Sequence, residues 1–353
     1  MPYKVIQWAT GGVGRAAIEN IVAHPDLELV GCWVHSADKA GTDAGTLAGL
    51  EPVGVTATND TDALVALKAD CVVYSPIMPD PELVKRLLAS GKNVVTPLGW
   101  FYPARMDTTA IEAACAEGNS TLHGTGIHPG GVTERLPLTV SALSASITHV
   151  RAEEFSDIRT YGAPEVISDI MLFGKTPEEA AASPMTDLLG GGFMQSMDMV
   201  ADELGFDIDA EPRVTHEMAV ATAPIESPIG DIAPGLVAAQ RFTWEYTVRG
   251  EAVITVRVNW FMGQDNLDPP WHFGPEGERF EVSVKGDPDS HVTFHGWHPE
   301  SIAAGLERNP GIVVTANHCV SAIPYVCRAE QGIRTYLDLP LIAGRAAPHL
   351  RAD

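Results

Sequence analysis

The chain opens on an apolar run, Val5-Ile6-Gln7-Trp8-Ala9, that passes directly into Thr10-Gly11-Gly12-Val13-Gly14-Arg15. Residues 16–24 follow with Ile18, Ile21 and Val22 at helical spacing. A glycine-rich turn between a strand and a helix is where free backbone amides meet a pyrophosphate. Read as G-x-G-x-x-G, Ala9 stands in the first glycine's place, and Gly11 and Gly14 fill the second and third. Gly11 lets backbone approach the phosphates. Gly12, Val13, Gly14 and Arg15 start the helix, with Arg15 placed to lean over an adenine. The other reading is a plain strand-to-helix turn. The elements that follow favour the dinucleotide reading.

Apolar strands at 27–34, 70–74, 93–96 and 120–123 alternate with helical patterns at 60–68, 80–90 and 108–117. Continuous apolar strands separated by helices predict a parallel sheet covered on both faces. The expectation is an α/β Rossmann domain over 1–146, closed by a helix at 132–146. From 147 the pattern changes. Residues 147–155 read as a strand. Residues 241–249 and 251–262 flank Gly250, and 279–285 and 290–294 flank Gly286-Asp287-Pro288, two hairpin signatures. Helical patterns at 164–173, 176–183 and 192–204 interrupt these strands. Residues 147–310 are thus expected to form an α+β domain with a mostly antiparallel or mixed sheet. Residues 311–353, with a helix at 313–329, are expected to return to the Rossmann domain.

Two domains suit the 353 residues, of which 45% are hydrophobic and 20% charged. Lys plus Arg number 23 against 46 Asp plus Glu, a formal charge of −23, which would repel a phosphate backbone and argues against nucleic acid as a partner. No stretch approaches the roughly 18 apolar residues of a membrane span. Met1-Pro2-Tyr3-Lys4 leads straight into a strand, so no signal peptide is expected. Cys32, Cys71, Cys115, Cys319 and Cys327 form no C-x-x-C pair. They are expected to be buried thiols in a reducing, cytoplasmic setting.

Cofactor choice in such a fold rests on the end of the second strand, about 20 residues beyond the glycines. That stretch reads Val34-His35-Ser36-Ala37-Asp38-Lys39. His35, Ser36 and Lys39 are donors for a 2′-phosphate, and the strand tip has no carboxylate. NADP is therefore expected, with Asp38 keeping NAD open. Ser75 and Thr96, at the ends of the third and fourth strands, join the cofactor set, since ligands bind at that edge of an open sheet. So do Gly126 and Pro129 of Gly124-Thr125-Gly126-Ile127-His128-Pro129-Gly130-Gly131. His128 in that run is a candidate proton donor, or a helix cap.

A third cluster is Glu153-Glu154-Phe155-Ser156-Asp157-Ile158-Arg159-Thr160-Tyr161. Alternation places Glu154, Ser156 and Ile158 on one strand face. Glu154, Asp157 and Tyr161 are candidate acid–base groups, against a solvated acidic rim. Leu98, Trp100 and Phe101 are candidates to line an apolar substrate pocket. His295-Gly296-Trp297-His298 has no carboxylate or cysteine at a standard ligand spacing, so no metal is expected.

The sequence resembles the dihydrodipicolinate reductase-like oxidoreductases, in the 2,4-diaminopentanoate dehydrogenase and native amine dehydrogenase branch. The likeness spans nearly the whole chain. It rests on Trp8 to Gly14, Gly124 to Gly130, Glu153 to Tyr161, Phe173-Gly174-Lys175-Thr176-Pro177-Glu178, Gly286-Asp287-Pro288 and Val320-Ser321-Ala322-Ile323-Pro324. It implies a homodimer, a nicotinamide cofactor and hydride transfer at a C=N bond. The reaction would run as reductive amination of a ketone or aldehyde with ammonia, or as oxidative deamination. In that branch the segment after the fourth strand carries a glutamate that handles ammonia. Aligned on Tyr102-Pro103, those positions here are Leu98 and Gly99. The catalytic His and Lys pattern of true dihydrodipicolinate reductases is also missing. Two alternatives stay open: a carbonyl or enal reductase for an apolar substrate, and a catalytically silent NADP-binding sensor.

Overall fold

The computed structural model describes residues 1–274 and 278–351. The chain divides into two units, 1–130 with 312–353, and 131–311.

In the first unit, β1 (Tyr3–Trp8) leads into α1 (Gly12–Ala23) and β2 (Leu27–Trp33). Short α2 (Ala44–Leu47) and α3 (Thr61–Ala66) precede β3 (Cys71–Tyr74), α4 (Pro81–Ala89), β4 (Asn93–Thr96), α5 (Thr109–Gly118) and β5 (Thr121–Gly124). Pro81 begins α4 behind Asp80, whose carboxylate accepts the amides of Glu82 and Leu83, the usual start signal of a helix. Together with β13 (Gly332–Ile333) the strands form one sheet in the order β13-β5-β4-β3-β1-β2. Every pairing in it is parallel. This is a Rossmann-type domain. Its chain order reverses at β1, which pairs with β2 on one side and β3 on the other. Ligands bind beyond the carboxyl ends of strands at such a switch point. One face packs Val5 and Val73 against Ile18 and Ile21 of α1 and against Val320 and Ile323 of the late helix. The opposite face packs Ile6, Trp8 and Val72 against Leu87 and Leu88 of α4.

The second unit begins with a π-helical turn, Gly131–Arg135, followed by α6 (Leu136–Ser141) and β6 (Ala145–Asp157). A single helix over 132–146 does not form. Pro137 sits in the first turn of α6 and has no N–H for a bond one turn back, so the preceding turn widens. These residues contact β6 and fall in the second unit, so the boundary lies at 131 rather than at 147. α7 (Pro177–Ala181) and α8 (Met185–Leu204) follow. Then come β7 (Arg213–Ala221), β8 (Val237–Val248), β9 (Glu251–Phe261), β10 (Leu267–Asp268), β11 (Arg279–Asp287) and β12 (Ser290–Phe294). They form a mixed sheet, β10-β7-β8-β9-β6-β11-β12, parallel only between β6 and β9. The β8–β9 hairpin turns through Arg249 and Gly250, both at positive φ, with their amides held by Asp209. Alternation on β8 sends Phe242, Trp244 and Tyr246 toward α8, where they pack with Phe193, Met197 and Val200. The chain continues through α9 (Ile302–Glu307) and α10 (Pro310–Val326).

No helix among the described residues is long and apolar enough to cross a membrane. All five cysteines are free thiols, four of them buried. No cluster of metal-ligating side chains occurs among the described residues.

Candidate functional sites

The turn after β1 is built around two backbone facts. Ala9 adopts φ 77°, a left-handed conformation that glycine tolerates and alanine takes at a cost of about 1–2 kcal/mol. A Cβ on Gly14 would lie 2.0 Å from the Ala9 carbonyl oxygen, so only glycine lets α1 start this close to β1. A Cβ on Gly11 would meet nothing within 4 Å. The open space at Gly11 and the unpaired first amides of α1 fit a pyrophosphate. Gly11 and Arg15 are exposed, and Gly12 and Val13 partly so.

Beyond β2, His35 is exposed and Ser36 and Lys39 are partly exposed, with Asp38 the one carboxylate in the stretch. The Lys39 amide donates to Ser36 O at 3.2 Å, closing a turn. Ser75, after β3, accepts a hydrogen bond from Gln7 Nε2 at 3.0 Å. Thr96 is fully buried, and its hydroxyl accepts the Leu98 amide at 3.2 Å. Of the apolar trio after β4, Leu98 keeps some exposure, Trp100 packs with Trp8 and Tyr74, and Phe101 is buried.

The glycine run after β5 is held from behind. His318 Nδ1 donates to the Gly126 carbonyl at 2.6 Å. The Tyr336 ring stacks on His318, and its hydroxyl bonds that of Thr125. Gly126 and Gly130 have positive φ, and a Cβ on Gly130 would lie 2.5 Å from Gly126 O. Gly126 is buried, and His128 and Pro129 are partly exposed at the run's tip.

In the second unit, the two adjacent glutamates of β6 part company. Glu153 is 3% exposed and faces a polar ladder, pairing with Arg151 at 2.6 Å and accepting from Asn259 at 3.0 Å. Glu154 points to the other face. Its Oε1 accepts the Ser156 hydroxyl at 2.8 Å and the Trp260 indole N–H at 2.9 Å. Burial raises its pKa above the ordinary carboxyl range, and the two donors only partly oppose the shift. Tyr161 is raised too, first by burial and then by the charge on Glu154. The cluster is thus no solvated rim.

Asp157 is committed elsewhere. Its carboxylate is bidentate with Arg159, at 3.0 Å to Nε and 2.5 Å to Nη2, and caps the 3₁₀ turn Ile158–Thr160. That turn ends the strand before Ile158, so the strand face shared with Glu154 stops at Ser156. His128 belongs to the first unit, while Glu154, Asp157 and Tyr161 belong to the second.

Two further polar groups escape sequence reasoning. Glu278 accepts the Asp157 amide at 2.7 Å and is raised to about 7 by burial, with Asp157 and Glu154 adding repulsion. Gln7 is a fully buried amide between the apolar Ile6 and Trp8 of β1. A lone Gln in a strand and a glutamate in a Gly-Glu-Arg run carry no periodic signal.

Residues 132–349 match the 2,4-diaminopentanoate dehydrogenase C-terminal domain, and residues 5–96 match the dihydrodipicolinate reductase N-terminus. The chain is 31% identical to an amine dehydrogenase of Streptomyces virginiae, with 96% of each chain covered. It is 26% identical to 2,4-diaminopentanoate dehydrogenase of Acetoanaerobium sticklandii, over 65% of this chain and 60% of the relative. Its fold matches the structure of an amine dehydrogenase from Mycobacterium smegmatis at a TM-score of 0.77, with 19% identity and 98% of each chain covered.

Proposed function

The chain belongs to the 2,4-diaminopentanoate dehydrogenase family, and on that premise we propose that it is an NAD(P)-dependent amine dehydrogenase. The nicotinamide cofactor, NADPH with NADH as the alternative, supplies or accepts the hydride at a C=N bond. The substrates in the reductive direction are a ketone or aldehyde and ammonia. The start of α1 binds the pyrophosphate, and His35, Ser36 and Lys39 bind the 2′-phosphate. Forming a C=N bond from a carbonyl and ammonia also needs proton transfers. We assign these to Glu154, with Tyr161 beside it. Asp157, held by Arg159, positions the turn that carries Tyr161. The protein is proposed to act as a homodimer.

The observation that carries the reading is the Glu154 carboxylate, partly buried, raised in pKa and held by Ser156 and Trp260. A carboxylate so placed attracts an ammonium and exchanges a proton nearer neutrality. It would take over the work that Leu98 and Gly99 cannot do. Those two positions favour a second reading, ammonia-independent reduction of an apolar carbonyl. NADPH oxidation measured with a carbonyl panel, with and without ammonium, decides between them. Ammonium-dependent turnover supports the proposal. Turnover indifferent to ammonium supports the second reading, and nucleotide binding without turnover supports a sensor.

A further inference from the structure

Gln7 is out of place as a core residue. Its neighbours on β1, Val5, Ile6 and Trp8, are apolar and buried, and Gln7 itself is fully buried. Its Oε1 has no hydrogen-bond partner among the described residues. A leucine would fill the site without a stranded carbonyl, which buried costs more than an apolar group. All its bonding is on the other side of the amide. Nε2 lies 3.0 Å from Ala9 O, 3.1 Å from Trp8 O and 3.0 Å from Ser75 Oγ.

These contacts span the switch point of the sheet. Ala9 opens the turn after β1, and Ser75 follows the neighbouring strand β3. Ala9 is also the residue at φ 77°, where the fingerprint normally has glycine. Its carbonyl oxygen is the atom that the missing side chain of Gly14 makes room for, 2.0 Å from where a Cβ would be. A rotation of the Ala9 peptide toward ordinary φ would swing that oxygen and shift the amides of Gly11 and Gly12. We infer that Gln7 is a positioning residue for the nucleotide: its amide fixes the Ala9 carbonyl and so holds an alanine in the conformation of the absent first glycine. This rests on the nicotinamide-nucleotide reading of the first unit.

The test is fluorescence titration of NADPH and NADH into wild type, Gln7→Leu and the double variant Gln7→Leu/Ala9→Gly, together with KM and kcat. Gln7→Leu is expected to weaken both nucleotides about tenfold, the size of one left-handed alanine released from its tether. Cofactor KM should rise with it, while kcat at saturation stays within about twofold. Ala9→Gly in the same chain should restore binding, because glycine holds the turn unaided. Should Gln7→Leu not fold, Gln7→Asn, whose amide is one methylene short of Ala9 O, takes its place. Unchanged nucleotide affinity in the single variant, with only Tm lowered, overturns the proposal, as does weakened affinity that Ala9→Gly fails to restore. A wild type that binds neither nucleotide removes the reading beneath it and the proposal with it.

Discussion

The indole N–H of Trp260 donates to Glu154 Oε1 at 2.9 Å, from the strand that runs parallel to β6. This bond stabilises the charged carboxylate, while burial favours the neutral acid and prevails. Trp260→Phe keeps an aromatic ring and removes the donor. The Glu154 pKa should then rise further, and a base works only above its pKa. The acid limb of the kcat profile is therefore expected to move to higher pH in Trp260→Phe. An unmoved limb would separate this carboxylate from the rate.

Glu278 should appear in the stability of the protein. Burial raises it to about 7, against about 4.3 for a free glutamate. The folded chain therefore holds this proton more tightly than the unfolded chain. The stabilisation is whole below the unfolded pKa and is lost as pH rises through about 7. Glu278→Gln keeps an acceptor for the Asp157 amide and cannot titrate. The Tm of the variant relative to wild type should rise between about pH 4 and about pH 8. Parallel curves would mean that Glu278 is not raised.

Two glycines of the first turn should fail in different ways. Gly11→Val meets open space, so it should fold with a near-normal Tm and lose nucleotide binding. Gly14→Val drives a Cβ to 2.0 Å from a backbone oxygen, so it should lose stability before binding can be measured. Nucleotide affinity unchanged in Gly11→Val would put the pyrophosphate elsewhere.

The contrast also shows what a sequence reveals. The parallel sheet is legible because β1, β3 and β4 carry the apolar runs Val5-Ile6, Cys71 to Tyr74 and Val94-Val95, and helical patterns separate them. β13 escapes any sequence reading because its two residues, Gly332 and Ile333, make no pattern. β7 is hard to read because Arg213, Thr215 and Glu217 interrupt its first half, and its only apolar run, Met218 to Ala221, is four residues long and rich in alanine. Gly190, Gly191 and Gly192 hide the start of α8 in the sequence; Gly190 lets Trp244 approach, a Cβ there lying 2.8 Å from the indole nitrogen. Spacing on β6 placed Glu154 beside Ser156. It could not supply Trp260, more than a hundred residues away, or show that Arg159 already occupies Asp157.

Cofactor preference turns on the end of β2. With His35, Ser36 and Lys39 there and Asp38 the nearby carboxylate, NADPH should bind at least as tightly as NADH. His35→Asp should weaken NADPH through repulsion of the 2′-phosphate and spare NADH. Titration of both nucleotides into both proteins checks it. A wild type strongly preferring NADH would give the choice to Asp38 or to backbone groups.

The most direct test of the central claim is kcat for reductive amination, at saturating cofactor and carbonyl, against ammonium concentration in wild type and Glu154→Gln. The account predicts ammonium-dependent turnover in wild type and a loss of about 10²-fold or more in Glu154→Gln, the lower end for an acid–base group, with cofactor KM nearly unchanged. Full activity in Glu154→Gln would contradict it.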